Sequence, residues 1–262
     1  MLQKRVNLFG LNIDDMSMDE ALGMVRNALL TGEQSVFFTP NLEMLSLSRK
    51  NYMIKEILNS ATTCLPDGFG LRVVGFLLGR PIENTVPGID LGKGALSIVE
   101  ELGASVFLLG GSQGVAERAA KRIKREHPQI NICGVQNGFF TPDDSGRIVE
   151  QIKRSGAQIL IVCMGFPRQE KIVFEHKREL SSVNVFLCLG GSLDVWAGDV
   201  GRAPVILRRA HLEWLWRIAC EPQRVKRFVR SLDTLFEAVA IFVRSIGMKG
   251  DFEAYNQTKP YI

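Results

Sequence analysis

Several things that would settle the class of this chain are missing from it. No apolar run approaches the about 18 residues needed to span a bilayer, and the longest candidates, such as 238–243, fall far short. The N-terminus, Met1-Leu2-Gln3-Lys4-Arg5-Val6-Asn7, has no apolar h-region and no small-residue cleavage site, so a secretory signal is not expected. Cys64, Cys133, Cys163, Cys188 and Cys220 are widely spaced, odd in number and form no Cys-x-x-Cys pair. Most lie in apolar runs, where a free thiol is a small hydrophobe, and a reducing cytoplasm is expected. His127, His176 and His211 are too dispersed for a spaced metal motif. There is no Asp-x-Asp pair; Asp143-Asp144 follows Pro142 at an expected helix start and complements the helix dipole. No Gly-x-Ser-x-Gly elbow occurs. Metal-dependent and serine-nucleophile chemistries both lose ground.

What is present describes an ordinary globular chain: 262 residues, 46% hydrophobic and 23% charged, with a mean hydropathy of +0.07. Such a length buries roughly three quarters of its unfolded surface, enough for one large domain with an appendage. Charge is unevenly spread. Between Arg202 and Arg230 stand eight basic residues and two acidic ones, a local +6 in a chain whose net charge is +4, which leaves −2 for the rest. A basic block of this kind suits a polyanionic partner (nucleic acid, an acidic membrane surface or a phosphorylated substrate) as well as a solvated helix face.

From 35 to 195 the sequence alternates short β-rich runs with longer helical patterns. Strands are expected at 35–39, 61–65, 105–109, 130–135, 158–163 and 185–189. Helices lie between them. One begins at Ser17, where Ser17-Met18-Asp19-Glu20 has the capping-box spacing and Leu22, Val25 and Leu29 share a face. Another begins at Thr141-Pro142 and continues through Ile148 and Ile152. This alternation predicts an α/β, Rossmann-like fold: a mostly parallel sheet with helices on both faces. After about residue 200 no convincing strand follows. Leu232, Leu235, Phe236, Val239, Phe242, Val243 and Ile246 form a helical stripe, expected to be packed, with an interfacial helix as the alternative. The expected division is a catalytic core over 1–200 and a helical, basic appendage over 201–262.

In an open α/β sheet ligands bind beyond the carboxyl ends of the strands. Here each expected strand runs into a polar or glycine cluster: Thr39-Pro40-Asn41, Pro66-Asp67-Gly68, Gly110-Gly111-Ser112-Gln113-Gly114, Gln136-Asn137-Gly138, Gly165-Phe166-Pro167-Arg168-Gln169 and Gly190-Gly191-Ser192-Leu193-Asp194. Six on one rim predict a ligand crevice. Residues 110–114 would let backbone N–H groups approach a phosphate, though glycine is also the default turn residue. The segment is not a P-loop, for no Gly-Lys-Ser/Thr ends it, and Gln136 and Asn137 stand where a dinucleotide fold places its acidic ribose ligand. Asp67, at the mouth of the sheet, is equally suited to take a proton from a substrate hydroxyl or to cap the next helix. Asp194 carries the same ambiguity, and Gln169 suits either a sugar hydroxyl or a local cap.

Taken together these segments resemble the WecG/TagA/CpsF glycosyltransferases. The resemblance rests on Thr39-Pro40-Asn41, Leu65-Pro66-Asp67-Gly68, Phe107-Leu108-Leu109-Gly110-Gly111, Gly165-Phe166-Pro167-Arg168-Gln169-Glu170-Lys171 and the run from Gly190 to Gly198. It continues through Arg202-Ala203-Pro204, Glu213-Trp214-Leu215-Trp216-Arg217 and Glu221-Pro222-Gln223-Arg224, in order over roughly residues 5 to 230.

The family resemblance implies an inverting, metal-independent transferase that needs no cofactor. It would move a sugar (HexNAc, its uronic acid or a hexose) from UDP to a polyprenyl-diphosphate-linked sugar such as GlcNAc-PP-undecaprenol. The work would be done at the cytoplasmic membrane face, in polysaccharide or wall-polymer synthesis. Carried over by position, it implies Asp67 as general base, with Thr39, Asn41 and Gln169 near the reacting sugars. Gly110, Gly111, Ser112, Asn137, Gly138, Gly190, Gly191 and Asp194 fall on the nucleotide side. Arg217, Arg224 and Arg227 match arginines that hold the acceptor diphosphate, in a segment implied to touch the membrane peripherally; no nucleic-acid partner is implied. Pro87 and Ile89 depart from the family pattern, as does Phe139-Phe140, which lacks a nearby tyrosine. These departures bear on donor identity more than on reaction class. Two other readings stand beside this one: a soluble nucleotide-dependent enzyme, such as a dehydrogenase or sugar-modifying enzyme, and a non-enzymatic basic binding module.

Overall fold

The computed structural model describes residues 4–141, 144–209, 213–220 and 225–257; at 208, 209, 214, 217, 218, 220, 227, 228 and 247–257 it describes the backbone alone. Six parallel strands make the central sheet: β3 (Ser35–Phe38), β4 (Thr63–Cys64), β5 (Ser105–Gly110), β6 (Asn131–Gln136), β7 (Ile159–Cys163) and β8 (Val185–Cys188), in the order β4-β3-β8-β7-β5-β6. Side chains alternate along each strand between two cores. Val106, Leu108, Ile159, Ile161, Val185 and Leu187 face one; Phe107, Leu109, Leu160, Val162 and Phe186 face the other. Both faces are therefore apolar, as a parallel sheet covered on each side requires.

Helices α1 (Met18–Thr31), α5 (Gly88–Leu102), α6 (Val115–Glu126) and α9 (Ser192–Ala197) cover the first face. Helices α2 (Leu42–Lys50), α3 (Tyr52–Asn59), α4 (Phe69–Leu77), α7 (Ser145–Arg154) and α8 (Arg168–His176) cover the second. The α/β expectation holds. The capping box of α1 forms: Ser17 Oγ accepts the Glu20 N–H at 3.2 Å, and the Glu20 carboxylate accepts the Ser17 N–H at 2.8 Å.

Three elements differ from expectation. An antiparallel hairpin, β1 (Lys4–Leu8) and β2 (Leu11–Asp15), precedes the sheet and packs Val6, Leu8, Leu11 and Ile13 into the second core. Its turn carries no Asn-Gly signal. Phe9 takes φ 51° instead, beneath the Arg49 guanidinium 4.3 Å from its ring centre. Strand β4 keeps only two residues of the expected 61–65, and on it Asp14 from β2 accepts the Cys64 N–H at 2.8 Å. Helix α7 starts after Asp144, not Thr141; the Thr141 hydroxyl donates to the Asp144 carboxylate at 2.8 Å.

Beyond the sheet lie α10 (Val205–Arg209), α11 (Glu213–Cys220) and the long α12 (Val225–Gln257). Helix α12 docks on α2 and α4, but with a face the hydrophobic pattern does not pick out. Ser231, Thr234 and Ala238 are buried, and Leu235 packs partly against the core. Ser46 Oγ donates to Asp233 Oδ1 at 2.9 Å, Arg49 donates to Thr234 Oγ1 at 2.9 Å, and Lys50 pairs with Asp233. The stripe expected to be packed largely faces out: Phe236, Val239, Val243 and Ile246 are all exposed, Phe236 at 68%. Charged anchors and small side chains outcompete the larger apolar ones for the core because they fit closely against α2. Among the described residues no helix is long and apolar enough to cross a membrane.

Candidate active site

All six strands point the same way, so all six expected clusters emerge on one edge of the sheet. The strand order reverses direction between β5, which leads outward to β6, and β7, which leads back to β8. Crevices of open α/β sheets form at such switch points. The rim divides into two parts of different construction.

On the β5, β6 and β7 side, backbone meets backbone. The Gly111 N–H donates to the Cys163 carbonyl at 3.0 Å, and the Gly138 N–H donates to the Gly111 carbonyl at 2.9 Å. Gly110, at φ 144°, passes so close to β7 that a Cβ would lie 2.2 Å from the Cys163 carbonyl oxygen. The Arg168 guanidinium donates to the Gly138 carbonyl at 2.7 Å and lies 5.8 Å from the ring centre of exposed Phe139. Asn137 turns its amide oxygen to the Phe139 N–H at 3.0 Å, and Ser112 is exposed. These residues come together, and hydrogen bonds within the rim account for Gly111, Asn137 and Gly138.

On the β3, β4 and β8 side, side chains line a cavity of about 240 Å³ formed by Gly191, Ser192, Asp194, Arg202, Glu213 and Trp216, with Ile89 and four others. Arg202 grips Asp90 of α5 through two hydrogen bonds of 2.7 and 2.5 Å, and its Nε lies 3.9 Å from Glu213. The bond to Asp90, together with the charges of Asp90, Glu213 and Asp67, holds the guanidinium proton more firmly than usual. Asp67 thus lies within electrostatic reach of the cavity wall. Its backbone N–H donates to the Pro40 carbonyl at 2.9 Å, tying the β4 exit to the β3 exit. Gly68, not Asp67, holds the N-cap position of α4.

Three other expected residues are held by hydrogen bonds to neighbouring backbone. Thr39 is buried and its hydroxyl donates to the Cys188 carbonyl at 3.3 Å. Asn41 caps α2, its Oδ1 accepting the Met44 N–H at 3.1 Å. Gln169 is only 3% exposed; its Oε1 accepts the Gly190 N–H at 3.0 Å and its Nε2 donates to Glu170 at 2.7 Å. Asp194 lines the cavity directly. Arg224 lies outside the described residues, as do the side chains of Arg217 and Arg227. Among the described residues no three His, Cys, Asp or Glu side chains cluster about a metal-sized site.

Arg202, Asp90, Glu213 and Trp216 were not singled out as site residues on sequence. Their signal was weak: Arg202 and Asp90 are 112 positions apart, and nothing local marks two opposite charges as partners.

Residues 6–246 match the glycosyl transferase WecG/TagA/CpsF family. The chain belongs to that family. It is therefore a glycosyltransferase, and the dehydrogenase and non-enzymatic alternatives fall away. Two Bacillus enzymes named N-acetylglucosaminyldiphosphoundecaprenol N-acetyl-beta-D-mannosaminyltransferase are similar to it. The one from Bacillus spizizenii is 33% identical over 191 residues, 73% of each chain. The one from Bacillus subtilis is 31% identical over 195 residues, 74% of this chain and 75% of the relative. A Staphylococcus aureus protein of the same name is 28% identical over 244 residues, 92% of this chain and 94% of the relative.

Proposed function

We propose that this glycosyltransferase moves N-acetylmannosamine, or a closely related sugar, from UDP to N-acetylglucosamine on a polyprenyl diphosphate, with inversion and without a metal ion. The acceptor and the sugar follow the activity in the relatives' names. The observation that carries the reading is the position of Asp67 at the carboxyl end of β4, its charge acting on Arg202 at the wall of the largely side-chain-lined cavity.

In the reaction the acceptor hydroxyl oxygen attacks the anomeric carbon while the bond from that carbon to the UDP oxygen breaks. Asp67 takes the hydroxyl proton. Such a base contributes typically about 10²–10⁴-fold, provided it lies within hydrogen-bond reach. Asp194, Gly190 and Gly191 border the nucleotide, with Gly110, Gly111, Ser112, Asn137 and Gly138 completing the rim on the β5 and β6 side. Thr39, Asn41 and Gln169 hold the strand exits in register behind the reacting sugars. Charge developing on the leaving diphosphate is met by backbone N–H groups and arginines. Arg217, Arg224 and Arg227, supplied by the segment after residue 200, hold the acceptor diphosphate.

The appendage over 201–262 brings the core over 1–200 to its lipid substrate at the cytoplasmic membrane face. The outward face of α12 supports this: exposed Phe236, Val239, Val243 and Ile246 lie on a helix that also carries exposed Lys226, Arg230 and Arg244.

The test is UDP release from UDP-N-acetylmannosamine, with and without an undecaprenyl-diphosphate-GlcNAc analogue and with and without chelator. Release that needs the acceptor and survives chelation supports the reading. Release that is abolished by chelator contradicts the metal-free step, and no release with any UDP-sugar contradicts the donor class.

A further inference from the structure

Glu170, in the first turn of α8, has no exposed surface. Its Oε1 accepts from Gln169 Nε2 at 2.7 Å, while Oε2 is buried with no hydrogen-bond partner. Among the described residues no ion pair reaches it. Two nearby thiols, Cys188 of β8 and Cys64 of β4, feel its charge, and burial keeps both protonated far above neutral pH. Burial likewise pushes the Glu170 carboxyl up to about 7, against the hydrogen bond from Gln169. A half-satisfied carboxyl in such a place costs stability, and an apolar side chain would fill the space more favourably.

What the carboxyl does is visible in its neighbour. The Gln169 amide is held at both ends: its Nε2 donates to Glu170, and its Oε1 accepts from the Gly190 N–H at 3.0 Å. The chain of contacts runs from the helix after β7 to the turn after β8. Gly190 adopts φ 59°, and a Cβ there would meet nothing within 4 Å; the Ser192 hydroxyl donates to the Leu189 carbonyl across the turn at 2.7 Å, and Gln169 takes up the Gly190 N–H. The next residue, Gly191, is part of the cavity wall.

We infer that Glu170 is a positioning residue: acting through Gln169, it fixes the Gly190 N–H and so sets the wall at Gly191 in the shape that receives a sugar–nucleoside diphosphate. The inference rests on the functional reading above for the identity of that ligand. Without Glu170 the amide keeps one anchor, and the turn can rotate away from the cavity.

Glu170→Leu fills the volume and removes the acceptor; Glu170→Gln keeps a carbonyl for Gln169 to donate to. Amide hydrogen exchange followed by NMR on ligand-free protein reads the turn directly. In the wild type the Gly190 amide is expected to exchange slowly. In Glu170→Leu it speeds up about tenfold or more, the loss of roughly one hydrogen bond's protection, while β8 amides do not change. The KM for UDP-sugar rises about tenfold with kcat within about threefold, and Glu170→Gln restores both. Fast Gly190 exchange in the wild type overturns the inference even if no variant folds. So does a Glu170→Gln enzyme as impaired as Glu170→Leu. The exchange experiment contains no substrate, so a wild type that ignores UDP-sugars defeats the functional reading while the clamp is still judged by Gly190.

Discussion

The two parts of the rim look alike in the sequence and are built differently. Both are glycine-rich strand exits, yet on the β5 and β7 side the glycine serves close backbone contact, Gly110 against the Cys163 carbonyl. On the β8 side Asp194 lines a cavity walled by Arg202, whose guanidinium feels the charge of Asp67 at the β4 exit. The difference separates scaffold from chemistry. A change at Gly110 should act mainly through folding, and a change at Asp67 through turnover with the fold intact.

The largest effect is expected at Asp67. Asp67→Asn should keep the unfolding midpoint and the affinity for UDP, while the transfer rate falls by about 10²–10⁴-fold. Rates near wild type would place the base elsewhere. Gly110→Ala should behave the opposite way. A Cβ 2.2 Å from a carbonyl oxygen cannot be accommodated without moving β5 or β7, and strain of this kind costs on the order of 3 kcal/mol. Denaturant titration should show that loss; an unchanged midpoint would mean the rim is looser than its hydrogen bonds indicate.

Arg202→Lys comes next. A lysine keeps the charge but cannot make the two parallel bonds to Asp90. The KM for donor should rise severalfold, with a stability loss of about 1 kcal/mol. The smallest effect belongs to the contact between α12 and the core. Burial pushes the Asp233 carboxyl up, but the Lys50 ammonium, the Ser46 hydroxyl and the Thr234 N–H outweigh it and bring it down to about 2. A carboxyl lowered on folding adds stability that is present above its unfolded value, about 3.9, and is lost as pH falls through the folded one. The docking of α12 should therefore weaken between about pH 4 and pH 2, and Asp233→Asn should remove that dependence at a cost below about 1 kcal/mol, because the pair is largely exposed.

Much of this was legible in the residues. Short β-rich runs ending in glycine, asparagine, aspartate or proline clusters marked all six sheet strands, and most of these strands are buried between the two cores. The Ser17–Glu20 spacing marked the start of α1. What stayed hidden depends on partners distant in sequence. Asp14 bonds the Cys64 N–H of β4 from 50 positions away, and Arg202 finds Asp90 across 112. The face of α12 was misread because hydrophobicity alone ranks Phe236 and Val243 above Ser231, Thr234 and Ala238. The small residues win where two helices approach closely and α2 supplies Ser46, Arg49 and Lys50 as anchors. Gln169 was read as a possible sugar ligand; its burial and its link to Gly190 require knowing that β7 and β8 are neighbours.

The most direct test of the division between scaffold and chemistry is a crystal structure of the enzyme with a non-hydrolysable UDP-sugar. The account predicts the sugar nucleotide in the cavity bounded by Gly191, Asp194 and Arg202, with its anomeric carbon about 6 Å from the Asp67 carboxylate, room for one acceptor oxygen between them. A nucleotide seated on the outer face of the sheet, or a sugar pointing away from Asp67, would contradict it.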